Sequence, residues 1–211
     1  MNDKLYISPG NRKLGYIPSV SLNPHTTCST LVTCKRDCYA IRMMDFRKNI
    51  AKSWTRNTTI FEKDPLDFFQ QIKTFLNKRT PQYFRWHVGG DIPDAGYFLQ
   101  MLSVARLTSN TKFLAFTKKF SVVRNNLRDI QYEKNMRTLL SAWPKEVPSQ
   151  SKELMDTMNM SRGMIERVGV AWVDNDPRWA TLGVNTYTCT NNCSTCYMCW
   201  TSAGDVLLHK H

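Results

Sequence analysis

The residues of this chain best suited to chemistry are its seven cysteines, and they fall into two sets. The first holds Cys28, Cys34 and Cys38, in the run Cys28-Ser-Thr-Leu-Val-Thr-Cys34-Lys-Arg-Asp-Cys38-Tyr. The second holds Cys189, Cys193, Cys196 and Cys199, in the run Cys189-Thr-Asn-Asn-Cys193-Ser-Thr-Cys196-Tyr-Met-Cys199-Trp. None lies among the 150 residues between them. Cysteines that serve only as small apolar side chains scatter through a core, and these act as sets. An odd total disfavours a closed disulfide framework. Thiolates two to five residues apart suit zinc or an iron–sulfur cluster. In the second set the two-residue gap repeats and Cys189 supplies a fourth ligand. A structural zinc knuckle and a [4Fe-4S] cluster both satisfy that pattern. The first set offers only three thiolates, which leaves one metal position for another ligand. On a cubane, that open iron is where chemistry can occur. A tetrahedral zinc would need a fourth donor, and His25 stands just before the set.

A second constellation follows the strand-like run Tyr83-Phe-Arg-Trp-His-Val88, which enters Gly89-Gly90-Asp91 directly. Strand, glycine turn, acidic residue and helix is a recurrent way to bring backbone groups to a ligand on an α/β fold. Asp91 could bind an amine, position a substrate hydroxyl or cap the turn. His87 alternates with Trp86 and Val88, which places it on the opposite side of a regular strand from both. There it could donate a proton, ligate a metal or sit satisfied in the core. Arg85 shares its parity and needs an anion or carboxylate if buried. Lys118 follows another strand-like run, Phe113 to Phe116, where it meets either an anion at the strand ends or solvent. Trp200, Tyr197 and Met198 could shield a cluster from water. They could also stack on nucleobases, and packing is the simpler role.

These residues need a scaffold, and the chain is long enough to build one. Its 211 residues, 42 % of them apolar, support one domain with a real core. The expected organisation is a single α/β domain over residues 1–211, with an irregular lead-in at 1–18 and a cysteine-rich metal-binding tail at 180–211. Strand-like runs recur near residues 20, 85, 114, 140 and 170, with helical patterns between several of them. Asp64-Pro65 opens one helix and Pro93-Asp94 another, each with a capping acid. A further helix runs from Tyr39, with Cys38 at its N-terminus, where the helix dipole favours thiolate. Such βα periodicity predicts a partial (β/α) barrel or an open parallel sheet.

The formal charge of +12 points to nucleic acid or another polyanion as a partner. A host protein is the other partner considered, with both metal sites then purely structural. The start carries no secretory pattern, and no run is long and apolar enough to cross a bilayer. Reduced thiols free for metal imply the cytoplasm, here that of an infected bacterial host. There is no phosphate-binding P-loop, no His-Glu-x-x-His zinc protease motif and no serine nucleophile elbow.

At Cys34-Lys-Arg-Asp-Cys38-Tyr-Ala40, Phe84 to Asp91 and Cys193 to Trp200, the chain resembles the bacteriophage "gene product 88" family, whose function is unassigned. The resemblance extends through Phe113 to Lys118 and Leu139 to Pro144, in the right order, and implies a phage or prophage origin. More distantly, the chain is similar to radical S-adenosylmethionine enzymes, which use a partial (β/α) barrel. That resemblance implies a [4Fe-4S] cluster on Cys28, Cys34 and Cys38, with S-adenosylmethionine on the open iron. It implies that Gly89, Gly90 and Asp91 bind the methionyl amine, with aspartate where those enzymes have glutamate. Under it, Cys189, Cys193, Cys196 and Cys199 carry an auxiliary cluster, with zinc as the alternative metal there. Arg85, His87 and Lys118 join Asp91 as candidate catalytic residues.

Overall fold

Seven strands form one sheet in a computed structural model that describes residues 3–182 and 186–209. Residues 1–2 of the lead-in and 183–185 and 210–211 of the tail lie outside the described residues. The strands are β1 (Ser19–Val20), β2 (Tyr83–Trp86), β3 (Lys112–Thr117), β4 (Met136–Ser141), β5 (Val168–Val173), β6 (Thr186–Thr188) and β7 (Asp205–Leu208). Every pairing among them is parallel, and the order is β1-β2-β3-β4-β5-β7-β6. The first five lie side by side in chain order, as in a barrel wound one βα unit at a time. The sheet does not close: β1 and β6 are its edges.

The expected strands near 20, 85, 114, 140 and 170 are β1 to β5. Helices between them fill one face. Helix α4 (Pro65–Arg79) starts where Asp64 accepts a bond from Asp67 N at 2.9 Å. Helix α5 (Ala95–Leu107) starts where Asp94 accepts from Tyr97 N at 2.8 Å. These side chains satisfy N–H groups that the first helical turn leaves without partners. Phe68, Phe69, Ile72, Tyr97, Phe98 and Met101 then bury against Phe84, Trp86 and Phe113 of the sheet. Helix α8 (Pro148–Ser161) adds Leu154 and Met158 to the same core.

Two elements escaped the periodicity. The stretch around Trp54 is a long helix, α3 (Lys48–Lys63), directly after α2 (Tyr39–Phe46). Its polar residues hide the pattern because two of them, Asn57 and Thr58, point inward. Asn57 bonds Tyr6 and Ser21 backbone, and Thr58 accepts from Asn23 N at 2.8 Å. The second surprise is the tail. Its cysteines lie on a crossover between two strands of the sheet, β6 and β7, and β7 is interior. The crossover, with the short helices α10 (Cys193–Cys196) and α11 (Met198–Thr201), covers the face opposite α3, α4, α5 and α8. Among the described residues no helix is long and apolar enough to cross a membrane.

Candidate metal centres and the strand-end site

A parallel sheet wound in order brings the C-terminal ends of its strands to one rim. After β1, Asn23 caps the short helix α1 (Pro24–Thr27) by accepting from His25 N, and the chain enters the first cysteine loop. Cys28 follows α1, Cys34 lies in a 3₁₀ turn, and Cys38 is the N-cap of α2. After β2 comes Gly89-Gly90-Asp91. After β3 comes Lys118. The strand-end loops therefore unite the candidates that the sequence separates by up to ninety residues.

Asp91 ties this rim together. Its carboxylate accepts from Thr117 Oγ1 at 2.6 Å, Lys118 N at 2.9 Å and Ile92 N at 2.7 Å. Its own N–H donates to Thr27 Oγ1 at 3.2 Å. The loops after β1, β2 and β3 are thus bound through one residue, the carboxyl holding the loop after β3 and the backbone N–H the loop after β1. It is 6 % exposed, and burial pushes its pKa up against the pull of those hydrogen bonds. A carboxylate offers about four lone-pair sites, so one remains for a ligand.

The thiols stand beside it. Burial raises Cys28 to about 12, and the charge of Asp91 adds to that rise, followed by Cys38 and Cys34. Burial also raises Cys34, while Lys118 pulls it back down. Lys118 is 9 % exposed, so it is a buried cation, and solvent is not its partner. Its Nζ donates to the Ser141 carbonyl at 2.5 Å and meets Glu146 at 3.4 Å. Glu146 in turn holds Arg178 at 2.9 Å, and Arg178 holds Asp176 at 2.6 Å. Glu146 and Arg178 belong to the site's electrostatics, yet they lie in stretches without pattern in the sequence. A cleft of about 320 Å³ opens beside Cys28, with Thr26, Glu62, Pro93 and Lys119 on its walls. His25 is exposed.

The glycines serve the protein's own packing. A Cβ on Gly89 would lie 2.1 Å from Cζ3 of Trp54, which is itself buried. Gly90 has φ +81°, and a Cβ there would meet the Leu22 carbonyl at 2.7 Å and Thr27 Oγ1 at 2.8 Å. Gly89→Ala should therefore displace the Trp54 ring and cost roughly 2 kcal/mol. Thermal unfolding with tryptophan fluorescence would read both changes.

His87 departs from the expected alternation. Its φ is +53°, so β2 ends at Trp86 and the next side chain swings to the helical face. There Nε2 lies 3.0 Å from the Tyr97 hydroxyl, while Nδ1 has no partner. Burial, helped by the charge of Arg85, lowers its pKa to about 3. It is a neutral core histidine, packed away from the Arg85 face.

On that opposite face sits the second cysteine set. Cys189, Cys193 and Cys199 pack with Tyr83, Leu114, Phe116, Leu139 and Trp200. Trp200 is buried and donates to the Phe84 carbonyl at 3.1 Å. Tyr197 stacks on Tyr83, ring centres 4.5 Å apart. Both rings are packing residues, and Met198 is 38 % exposed. The lead-in locks the crossover from outside: Cys193 N donates to the Lys13 carbonyl at 3.0 Å. The four thiols influence one another. Burial raises Cys199 to about 11, with Cys189 and Cys193 adding to it. Cys193 is raised by burial and then by Cys189 and Cys196. Asn191 N donates to Cys189 Sγ at 3.4 Å.

Among the described residues no three His, Cys, Asp or Glu side chains converge tightly enough to hold one metal ion. The sulfurs are grouped without sharing a centre. Zinc draws its ligands to a single point, whereas each thiolate of a cubane binds a different iron. The donor chemistry of both sets fits a cluster.

The gene product 88 family model matches residues 2–202. The chain belongs to this bacteriophage family. No curated protein and no solved structure matches it. The gene product 88 match spans both cysteine sets, the Gly89-Gly90-Asp91 turn and strands β1 to β6.

Proposed function

We propose that this gene product 88 protein is an iron–sulfur enzyme of the radical S-adenosylmethionine type. One observation carries the reading: Cys28 and Cys34 lie at the strand-end rim of an open parallel sheet, near enough to Asp91 for its charge to act on both thiols. Cys28, Cys34 and Cys38 would hold a [4Fe-4S] cluster with one iron free of cysteine. When bound, the cluster supplies the electron that splits the carbon–sulfur bond of S-adenosylmethionine. Asp91 would take the cofactor's amine on its remaining lone pair, as a charge-assisted bond. Lys118 favours the thiolate form of Cys34. Tyr39 donates its hydroxyl to the Val88 carbonyl and so fastens the cysteine loop to the Gly-Gly turn. The second set would hold an auxiliary cluster, or zinc.

The substrate class that the charge favours is a polyanion. Arg36, Arg42, Arg47, Lys48, Lys52 and Arg56 are exposed on the loop and helices that follow the first cysteines. Such a ridge beside the rim would draw an anion toward it.

Electron paramagnetic resonance of the anaerobically reduced protein tests the assignment. Iron and sulfide should be present in equal amounts, and the cluster signal should change on adding S-adenosylmethionine. Asp91→Asn should keep the cluster and lose that response. A fully loaded protein whose spectrum ignores the cofactor, and which shows no binding by calorimetry, would overturn the radical chemistry.

A further inference from the structure

Two arginines on the cysteine-bearing face of the sheet, buried Arg137 and half-buried Arg85, carry buried nitrogens that find no acceptor among the described residues. Arg137 of β4 is 1 % exposed. One of its nitrogens, Nη2, donates to the Gly204 carbonyl, but Nε and Nη1 have no acceptor. Arginine does not shed its proton to escape burial, and an uncompensated buried charge is strongly unfavourable. Asp205, a carboxylate whose charge reaches Arg137, is already committed to Val170 N, Trp172 Nε1 and Arg162. Arg167 adds a like charge. Arg85 of β2, on the same face, also has a buried Nε without an acceptor, with its guanidinium 4.9 Å from the Phe116 ring.

What lies over these arginines is the cysteine crossover. After burial itself, Tyr187 and then Cys199 are the groups whose negative forms would act most strongly on Arg137. The charge of Arg85 acts on both Cys193 and Cys199. Four neutral thiols give no anion. Four thiolates on zinc, or on an oxidised [4Fe-4S] core, form an overall dianion in both cases. The fold also keeps room for this contact: a Cβ on Gly169 would stand 3.0 Å from Arg137 Nη2 and 2.5 Å from the Gly204 carbonyl.

We infer that Arg137 and Arg85 are the built-in counter-charge of an anionic tetrathiolate metal centre on Cys189, Cys193, Cys196 and Cys199. The inference rests on reading the second set as metal ligands, and adds that the sheet beneath is charged to receive the loaded form. The metal-free protein carries the cost of the unpaired cations, and loading the metal relieves it. Partners just outside a metal's ligands typically change its affinity by about 10–100-fold.

The experiment uses the full chain, purified anaerobically, with Co²⁺ as probe because its thiolate absorption reports the ligands. Wild type, Arg137→Met, Arg137→Lys, Arg85→Met and Cys196→Ser would be titrated against a competing chelator and melted with and without metal. Cys196→Ser should remove the part of the absorption that belongs to the second set. Arg137→Met should weaken that same part by about 10–100-fold, with Arg137→Lys recovering some of it. Arg137→Met should also shrink the rise in melting temperature that metal gives, while the metal-free variant melts no lower than wild type. If Cys196→Ser leaves the absorption intact, the second set does not bind metal and the parent reading fails. If Cys196→Ser removes it but Arg137→Met and Arg85→Met leave affinity and melting gain unchanged, the counter-charge inference alone is overturned. Reconstitution with iron and sulfide separates the two sources of the dianion. A cluster would take up both, and its midpoint potential should fall when Arg137 becomes Met, whereas a zinc site would take up neither.

Discussion

Asp91→Ala is expected to cost the metal-free protein roughly 3–5 kcal/mol. The substitution orphans three donors, the Thr117 hydroxyl and the Lys118 and Ile92 N–H groups. Each buried donor left unmet costs about 1–3 kcal/mol, and part of that is returned because a neutral side chain is cheaper to bury. Asp91→Asn keeps the shape and one carbonyl acceptor, so it should lose roughly half as much. Urea unfolding midpoints at neutral pH would read both. A loss under about 1 kcal/mol for Asp91→Ala would mean that the rim does not depend on this carboxyl. The comparison also separates scaffold from chemistry, since Asp91→Asn should stay folded at the temperature where cofactor binding is measured.

Acid should produce the other large effect, and His87 should be its source. The imidazole is held neutral in the fold, with its pKa lowered from 6.5 to about 3. A depressed folded pKa gives stability that is complete above 6.5 and is lost as pH falls from there toward 3. At about 1.4 kcal/mol per unit, the loss reaches about 4 kcal/mol near the bottom of that window. Asp91 works in the opposite sense. Its raised pKa makes the folded chain hold a proton more readily than the unfolded chain, which favours the fold as pH drops. The His87 contribution is therefore the difference between wild type and His87→Asn, measured by urea midpoints from pH 7 down to pH 4. Asparagine suits the left-handed backbone at this position. The wild-type curve should fall more steeply below pH 6.5. Parallel curves would assign the acid sensitivity to another group.

Much of the architecture is legible in the sequence because its signals are local. Asp64-Pro65 and Asp94 cap their helices through bonds that span three residues. The five strand-like runs with their glycine and proline stops become β1 to β5 in order. The cysteine sets and Asp91 are legible as chemistry because their residue types are rare and their spacings short. What could not be read depends on partners far along the chain. Helix α3 hides its pattern because its inward Asn57 pairs with backbone at residues 6 and 21. Lys118 looks like a surface cation until Glu146 and the Ser141 carbonyl enclose it. His87 obeys strand alternation in sequence, and a single positive φ cancels it. Arg137 gives no hint of its burial, which follows from β5, β7 and the cysteine crossover closing over β4.

The interleaving of β6 and β7 sets an order of assembly. Among the described residues β6 pairs only with β7, and β7 in turn pairs with β5. Strand β6 leaves the ribosome first, yet its pairing strand, β7, has still to be made and inserted. For that interval the cysteine crossover rests on the finished face of β2 to β4 with neither of its ends held in the sheet. A chain cut short after Trp200 would lose an interior strand, not a dispensable end, and would leave β6 without its pairing strand. If the second set takes up metal as proposed, early capture would close the loop in advance and shorten the search by which β7 finds its slot.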